Sequence, residues 1–269
     1  MTSIQAVILG VIQGITEFLP ISSSGHLIIF PATLGWREHP LAFDILLHLA
    51  TFCAIILYFR RDWVMILRGG ILSIKERKLS GDTHRILFWY ILLASVPVMI
   101  FGSMAAKSAE YYFRNPVLVA LMLGIFGVVL YVSEAVGRKE KSLEDITWQI
   151  ALLIGLAQMF AIIPGVSRSG ITISAAIALG MKRDGAVRFS FLLGAPIIFA
   201  AACYSLLSFE GIREVLSSSG LLWGFAASFI SSMAAIHFLL KFIRRYPFTV
   251  FAVYRVIISI ILAIIFIGK

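Results

Sequence analysis

Charge is what this chain lacks. Asp, Glu, Lys and Arg together make up 14% of its 269 residues, against about 25% in a typical soluble domain. It therefore cannot clothe a water-facing surface in polar groups. Cysteine is nearly absent as well. Cys53 and Cys203 lie in separate apolar segments, a pattern that fits no disulfide framework or thiolate metal site and leaves both as small core hydrophobes. No cleavable leader is expected either. The N-terminus has no basic region, and the apolar stretch Ile4–Ile12 runs into Gln13 and Glu17 without a small-residue cleavage site.

What is abundant is hydrocarbon: 60% hydrophobic residues and a mean hydropathy of +0.96. Long apolar runs recur, and they predict an all-α polytopic membrane protein, because a spanning helix satisfies its own backbone hydrogen bonds in lipid. Six segments are long enough to span, roughly 41–59, 86–105, 117–136, 186–207, 220–240 and 248–267. Two further regions, roughly 4–34 and 148–180, are apolar but broken by Pro, Gly and Ser, and neither reads as one span.

The net charge of +9 is sorted by side, which favours a membrane over nucleic acid. Connections 60–85, 137–147, 182–188 and 241–245 hold 16 basic residues, whereas the opposite side has only Arg37, Lys107, Arg114, Arg213 and Lys269. The first side is therefore cytoplasmic. The motif "KERK", Lys75 to Lys78, belongs to that side and suits anionic lipid headgroups. Segment 41–59 must run inward to reach Arg60 and Arg61, so the residues before it emerge outside. Region 148–180 starts after the cytoplasmic "GRKEK" and ends at Lys182 and Arg183. Both broken regions are thus expected to be re-entrant helix–turn–helix hairpins, one dipping from each face.

An internal repeat fits this plan. Gly10-Val-Ile-Gln13 followed by Ser22-Ser-Ser24-Gly25 matches Gly155-Leu-Ala-Gln158 followed by Ser167-Arg-Ser169-Gly170, at an offset of 145. The expectation is a single membrane domain over 1–269, with repeat 1 near 1–136 and repeat 2 near 148–269 in inverted topology. Such an architecture places a site at the repeat interface.

Polar groups concentrate at the two tips. The first carries Glu17, Ser22, Ser23, Ser24 and His26; the second carries Ser167, Arg168, Ser169 and Thr172. A guanidinium at membrane depth marks a functional site by default, and its planar fork suits a phosphate. Gly165, Ser167, Ser169 and Gly170 surround it and are read as offering backbone N–H groups to an anion. Glu17 sits one helical turn from Gln13, placed to orient a base, hold a cation or shuttle a proton. His26 is a general acid/base or a nucleophile at phosphorus. The blander readings are a structural Glu17–Arg168 pair and serines that glue helices together. His48 falls within a span where it could line the cavity, but packing is the favoured reading; His39, His84 and His237 are read as solvated or interfacial, and Arg255 as interfacial or paired, with a headgroup contact as the alternative. Gly10 and Gly14 mark close helix packing.

On these residues the chain resembles a known family. "GVIQGITEFLPISSSGHL" and "PGVSRSGITIS" are similar to the two signature motifs of the undecaprenyl-diphosphate phosphatases of the integral-membrane bacitracin-resistance type. The segments "FSFLLGAP" at 189–196 and "PFTVFAVYR" at 247–255 extend the likeness along nearly the whole chain. The resemblance implies hydrolysis of a C55 polyprenyl diphosphate to the monophosphate and inorganic phosphate, recycling the lipid carrier of cell-wall synthesis. It also implies a bacterial cytoplasmic membrane, a site open to the outer face and a divalent cation, Mg²⁺ or Ca²⁺, with Glu17 as its expected ligand. Glu17, Ser23, His26 and Arg168 match essential positions, and Ser22, Ser167, Ser169 and Thr172 supporting ones. Ser24, Gly165, Gly170 and Gln13 complete the expected diphosphate cradle.

One departure is Gln13, where the family often has Glu; an amide cannot act as a base and is a weak cation ligand. The expected partners are the lipid substrate, membrane lipid and a second copy of the chain, without nucleic acid. Ser23 as nucleophile with His26 as acid/base, a phosphohistidine route and direct attack by water all stay open. The rival reading is a lipid flippase or secondary transporter, since broken-helix inverted repeats are the plan of many carriers.

Overall fold

Apolar runs that must satisfy their own backbone become helices, and the described residues of the computed structural model contain eleven of them. Those residues are 1–37, 39, 41–79, 82–112, 115–208 and 220–267. In chain order the helices are α1 (Ser3–Phe18), α2 (Ser23–Thr33), α3 (Leu41–Tyr58), α4 (Arg60–Glu76), α5 (Thr83–Tyr112) and α6 (Pro116–Val136). They continue as α7 (Trp148–Gln158), α8 (Arg168–Ala178), α9 (Arg183–Ser208), α10 (Gly220–Phe242) and α11 (Thr249–Ile267), with a 3-10 turn over Met159–Ile162 between α7 and α8.

The fold is an all-α polytopic membrane fold. Among the described residues five helices are long and apolar enough to cross a bilayer: Thr83–Met104, Pro116–Val136, Arg183–Cys203, Gly220–Phe242 and Thr249–Phe266. A sixth crossing arises if the pair Ala42–Tyr58 and Arg60–Glu76, bent by 81°, counts as one. α9 is the central helix, with 61% of its span buried against 22–33% for the other four. The outer faces of the rest expose large apolar side chains such as Leu222, Trp223, Ile230 and Ile264, as lipid-facing helices do. α1 has 16 residues and so reaches only about 24 Å, short of a hydrocarbon core of about 30 Å.

One expected loop is a helix. Residues 60–76, read as a basic connection, form α4, which bends away from α3 at Phe59, a residue that caps α4 without a side-chain hydrogen bond. α4 is amphipathic: Val64, Leu67, Ile71 and Ile74 are exposed while Ile66, Gly69, Gly70 and Ser73 are buried. Gly70 lets Phe88 of α5 press against its backbone, since a Cβ there would meet that ring at 2.5 Å. Trp89 Nε1 donates to Ser73 Oγ at 2.9 Å, closing the contact.

The basic side is tied by ion pairs that reach α9. Arg188 meets Asp62 at 2.6 Å, and Arg183 bonds Glu134 at the end of α6. Arg114, Arg213 and Lys269, assigned to the opposite side, lie outside the described residues, as does the side chain of Lys107. α1 packs on α10, which packs on α3; in the same way α7 packs on α5, which contacts α9. α1 and α7 therefore each lean on a long helix from the other half of the chain. Cys53 and Cys203 are half-buried free thiols.

Candidate active site

Both helix breaks are the same turn built twice. α1 stops at Phe18 ahead of Pro20, and the chain re-enters a helix through Ser22, whose φ is +76°. At the offset of 145 Ser167 has φ +73° and opens α8. A non-glycine residue in that region is strained by about 1–3 kcal/mol, and the strain is held by matching bonds. Ser22 Oγ accepts from Gly25 N at 3.3 Å, and Ser167 Oγ accepts from Gly170 N at 3.0 Å.

The two turns are then bonded to each other. Gly165 N–H donates to Ser22 Oγ at 3.1 Å, and Ser169 Oγ lies 3.1 Å from Glu17 O and 3.2 Å from Leu19 O. Gly165 has φ +96° and lies against Val119 O, which a Cβ would meet at 2.6 Å, so only glycine fits this crossing. Arg255 is the clamp. Fully buried on α11, it donates to Pro20 O (3.1 Å) on one turn, Gly165 O (2.8 Å) and Val166 O (2.9 Å) on the other, and Leu123 O (3.2 Å) on α6. The interfacial reading of Arg255 is thereby corrected: three carbonyls that the helix breaks leave open, and one on α6, take its protons.

Glu17 is the hub in front of this frame. Its Oε1 accepts from Arg168 Nη2 at 2.9 Å. Its Oε2 accepts from Ser23 Oγ at 2.6 Å and from Gln13 Nε2 at 3.2 Å. Arg168 Nη1 donates to Ser190 O at 2.9 Å, and the guanidinium lies so close to α9 that a Cβ on Gly194 would sit 2.2 Å from Nη1. Thr172 Oγ1 donates to Arg168 O at 2.8 Å and pairs with Ser190 Oγ at 2.7 Å. It thus holds the residue that holds the guanidinium.

These groups face a cavity of about 290 Å³. Glu17, Ser23, Ser24, Ser167 and Arg168 line it, joined by Asp44, His48 and Gln158, over an apolar wall from α5 and α9 that includes Val98 and Ile198. The other expected residues stand elsewhere. Ser22, Ser169 and Thr172 build the frame, Gln13 is buried behind Glu17, and the N–H groups of Gly165 and Gly170 bond serine hydroxyls and are not offered to an anion.

His26 is turned away from the cavity. Its Nδ1 donates to Ser22 O at 2.7 Å, so Nε2 of the neutral ring accepts from Tyr254 OH at 2.8 Å. The imidazole at the cavity is His48. Its Nδ1 donates to Asp44 O at 2.7 Å, which aims Nε2 at Glu17 Oε2, 3.5 Å away. Its place on the cavity is the alternative to packing, and its spacing within α3 suits both. His39, read as solvated or interfacial, is buried and meets Asp44 Oδ1 at 2.5 Å.

A buried Glu–Arg pair with a hydroxyl on the same carboxylate, opening on a cavity among apolar helices, defines a membrane protein equipped for anionic lipid chemistry. Residues 6–261 match the family described as bacitracin resistance protein BacA. The undecaprenyl-diphosphatase of Caldicellulosiruptor bescii is 41% identical over 264 residues, 97% of this chain and 97% of that protein. The undecaprenyl-diphosphatase of Moorella thermoacetica is 41% identical over 266 residues, 99% and 98%, and that of Marinobacter nauticus 37% over 259 residues, 96% and 97%. The chain belongs to the BacA family.

Proposed function

We infer that this protein is an undecaprenyl-diphosphate phosphatase, hydrolysing the C55 lipid diphosphate to the monophosphate and inorganic phosphate. It thereby returns the lipid carrier to peptidoglycan synthesis and confers bacitracin resistance. The observation that carries the reading is the 2.6 Å bond from Ser23 Oγ to a carboxylate that also holds Arg168, at a cavity whose far wall is apolar.

Arg168 and the hydroxyls of Ser24 and Ser167 hold the diphosphate oxygens, the dominant contribution in phosphoryl transfer. Ser23 Oγ attacks the terminal phosphorus while Glu17 Oε2 takes its proton. The Oγ–P bond forms, the bridging P–O bond breaks, and the polyprenyl monophosphate leaves. Once Glu17 has passed that first proton through His48 to water, a water attacks the phosphoserine, Glu17 takes its proton and delivers it to Ser23 Oγ as the Oγ–P bond breaks, and inorganic phosphate departs with Ser23 restored. His48 faces that carboxylate from the cavity and exchanges its proton with water. His26 acts at one remove, its bond to Ser22 O steadying the turn that presents Ser23.

A divalent cation remains part of the proposal as a companion of the substrate. Mg²⁺ binds through one or two carboxylates, waters and substrate phosphates. Glu17 already accepts from Arg168, Ser23 and Gln13, which leaves Oε1, with a single side-chain donor, as the freer of its two oxygens toward a cation. Among the described residues no group of three or more His, Cys, Asp or Glu is arranged to hold a metal ion.

The finer architecture we propose is six spans and two re-entrant hairpins in an inverted repeat. The duplicated serine turns and the exchanged packing of α1 on α10 and α7 on α5 support it. The proposed membrane is the bacterial cytoplasmic one, with the site open to the outer face. In support, Val98 and Ile198 each lie 15 residues beyond the basic-side starts of α5 and α9, about 22 Å along the helix. A second copy of the chain is the remaining proposed partner; the mass of the detergent-solubilised protein distinguishes dimer from monomer.

The test is phosphate release from undecaprenyl diphosphate by purified protein, with and without chelator, beside Arg168→Ala. Release that is lost in the variant supports the enzyme. Lipid translocation without release supports the carrier reading.

A further inference from the structure

Gln158 ends α7 where the helix tightens into the 3-10 turn. It is fully buried and lines the cavity with Ser167 and Arg168. Among the described residues neither its Oε1 nor its Nε2 has a hydrogen-bond partner. An unmet buried amide is destabilising, and native structures keep few of them.

Its repeat counterpart shows what such an amide meets. Gln13, 145 residues earlier, donates Nε2 to Glu17, one helical turn further on. One turn beyond Gln158 the chain has Ile162. The second half thus repeats the amide and the serine turn and puts a guanidinium where the first half has Ser23, but it has no carboxylate. A guanidinium anchored on Glu17 and an amide with no partner of its own thus line one cavity.

We propose that Gln158 is a phosphate-binding residue. Its Nε2 donates to an oxygen of the diphosphate that Arg168 holds, so the substrate supplies the acceptor that Glu17 supplies to Gln13. Its Oε1 accepts from a protonated phosphate oxygen or from cavity water. This assignment rests on the phosphatase reading.

The experiment compares wild type, Gln158→Leu and Gln158→Glu. It measures phosphate release from undecaprenyl diphosphate, inhibition by inorganic phosphate, and the thermal midpoint in detergent. Gln158→Leu keeps the volume and removes both polar atoms. Its kcat/KM is expected to fall about 10- to 100-fold, the worth of one hydrogen bond to a charged group. Inhibition by inorganic phosphate weakens alongside, while the midpoint holds or rises because an unmet amide is gone. Gln158→Glu falls further, by repulsion of the phosphate.

A Gln158→Leu protein with wild-type kcat/KM overturns the proposal. So does one whose midpoint falls in step with its activity, which makes the amide structural. A wild type that releases no phosphate overturns the phosphatase reading instead, and with it this assignment.

Discussion

Ser23 Oγ and Glu17 Oε2 lie 2.6 Å apart across a helix break. Glu17 closes one helix and Ser23 opens the next, and the strained Ser22 between them swings the hydroxyl back onto the carboxylate. The same carboxylate is shared with Arg168 from the other half of the chain, so one side chain positions both the hydroxyl proposed as nucleophile and the guanidinium proposed to hold phosphate.

Breaking that sharing has two readouts. Glu17→Ala and Arg168→Met each leave one buried charge unpaired, which costs about 3–5 kcal/mol. The double variant is expected to lose clearly less than the sum of the two, as thermal or denaturant unfolding in detergent will show. Glu17→Gln, which keeps the shape but not the base, is expected to lower kcat by about 10²–10⁴-fold.

The two histidines separate by role. His48→Ala is expected to lower kcat by about 10²-fold, the scale of one acid/base group, with the fold intact. His26→Ala is expected to lower the thermal midpoint together with activity, because Ser22 O then keeps only the backbone N–H of residue 26 and loses the shorter imidazole bond. Tyr254→Phe, which removes only the hydroxyl on His26 Nε2, should lose far less. Steady-state rates beside melting curves check all three.

Arg255 is expected to be the stability centre of the site, although it lines no part of the cavity. Arg255→Met leaves the turn carbonyls of Pro20, Gly165 and Val166 without this donor, at about 1–3 kcal/mol for each unmet group. Unfolding and activity should be lost together, and Arg255→Lys should recover part of both.

Gly194→Ala tests how tightly Arg168 is placed. The added methyl falls 2.2 Å from Nη1 and must push the guanidinium off its post. A displacement on the order of 1 Å at a reacting centre costs about 10²-fold, so kcat/KM should fall by that much while the midpoint changes little.

Much of this site could be read in the chain, for a physical reason. Polar residues cannot hide in hydrocarbon, so Glu17, the serines and Arg168 stood out, and the repeat indicated that they belong together. Other features were less legible. Arg255 sits near Tyr254 at what looks like an interface, and only the packing of α11 on α6 brings it under both turns. His26 is three residues from Ser23, yet spacing does not say that Ser22 O and Tyr254 claim its nitrogens. His48 obeys the same helical period as its packing neighbours. α4 was masked by its charges, which made an amphipathic helix read as a loop.

The most direct test is phosphate release from undecaprenyl diphosphate by the purified protein, wild type against Ser23→Ala. The account predicts release by the wild type and a fall on the order of 10³-fold or more in the variant, the scale of losing a nucleophile, with the melting midpoint held within a few degrees. Release by Ser23→Ala at the wild-type rate would contradict it.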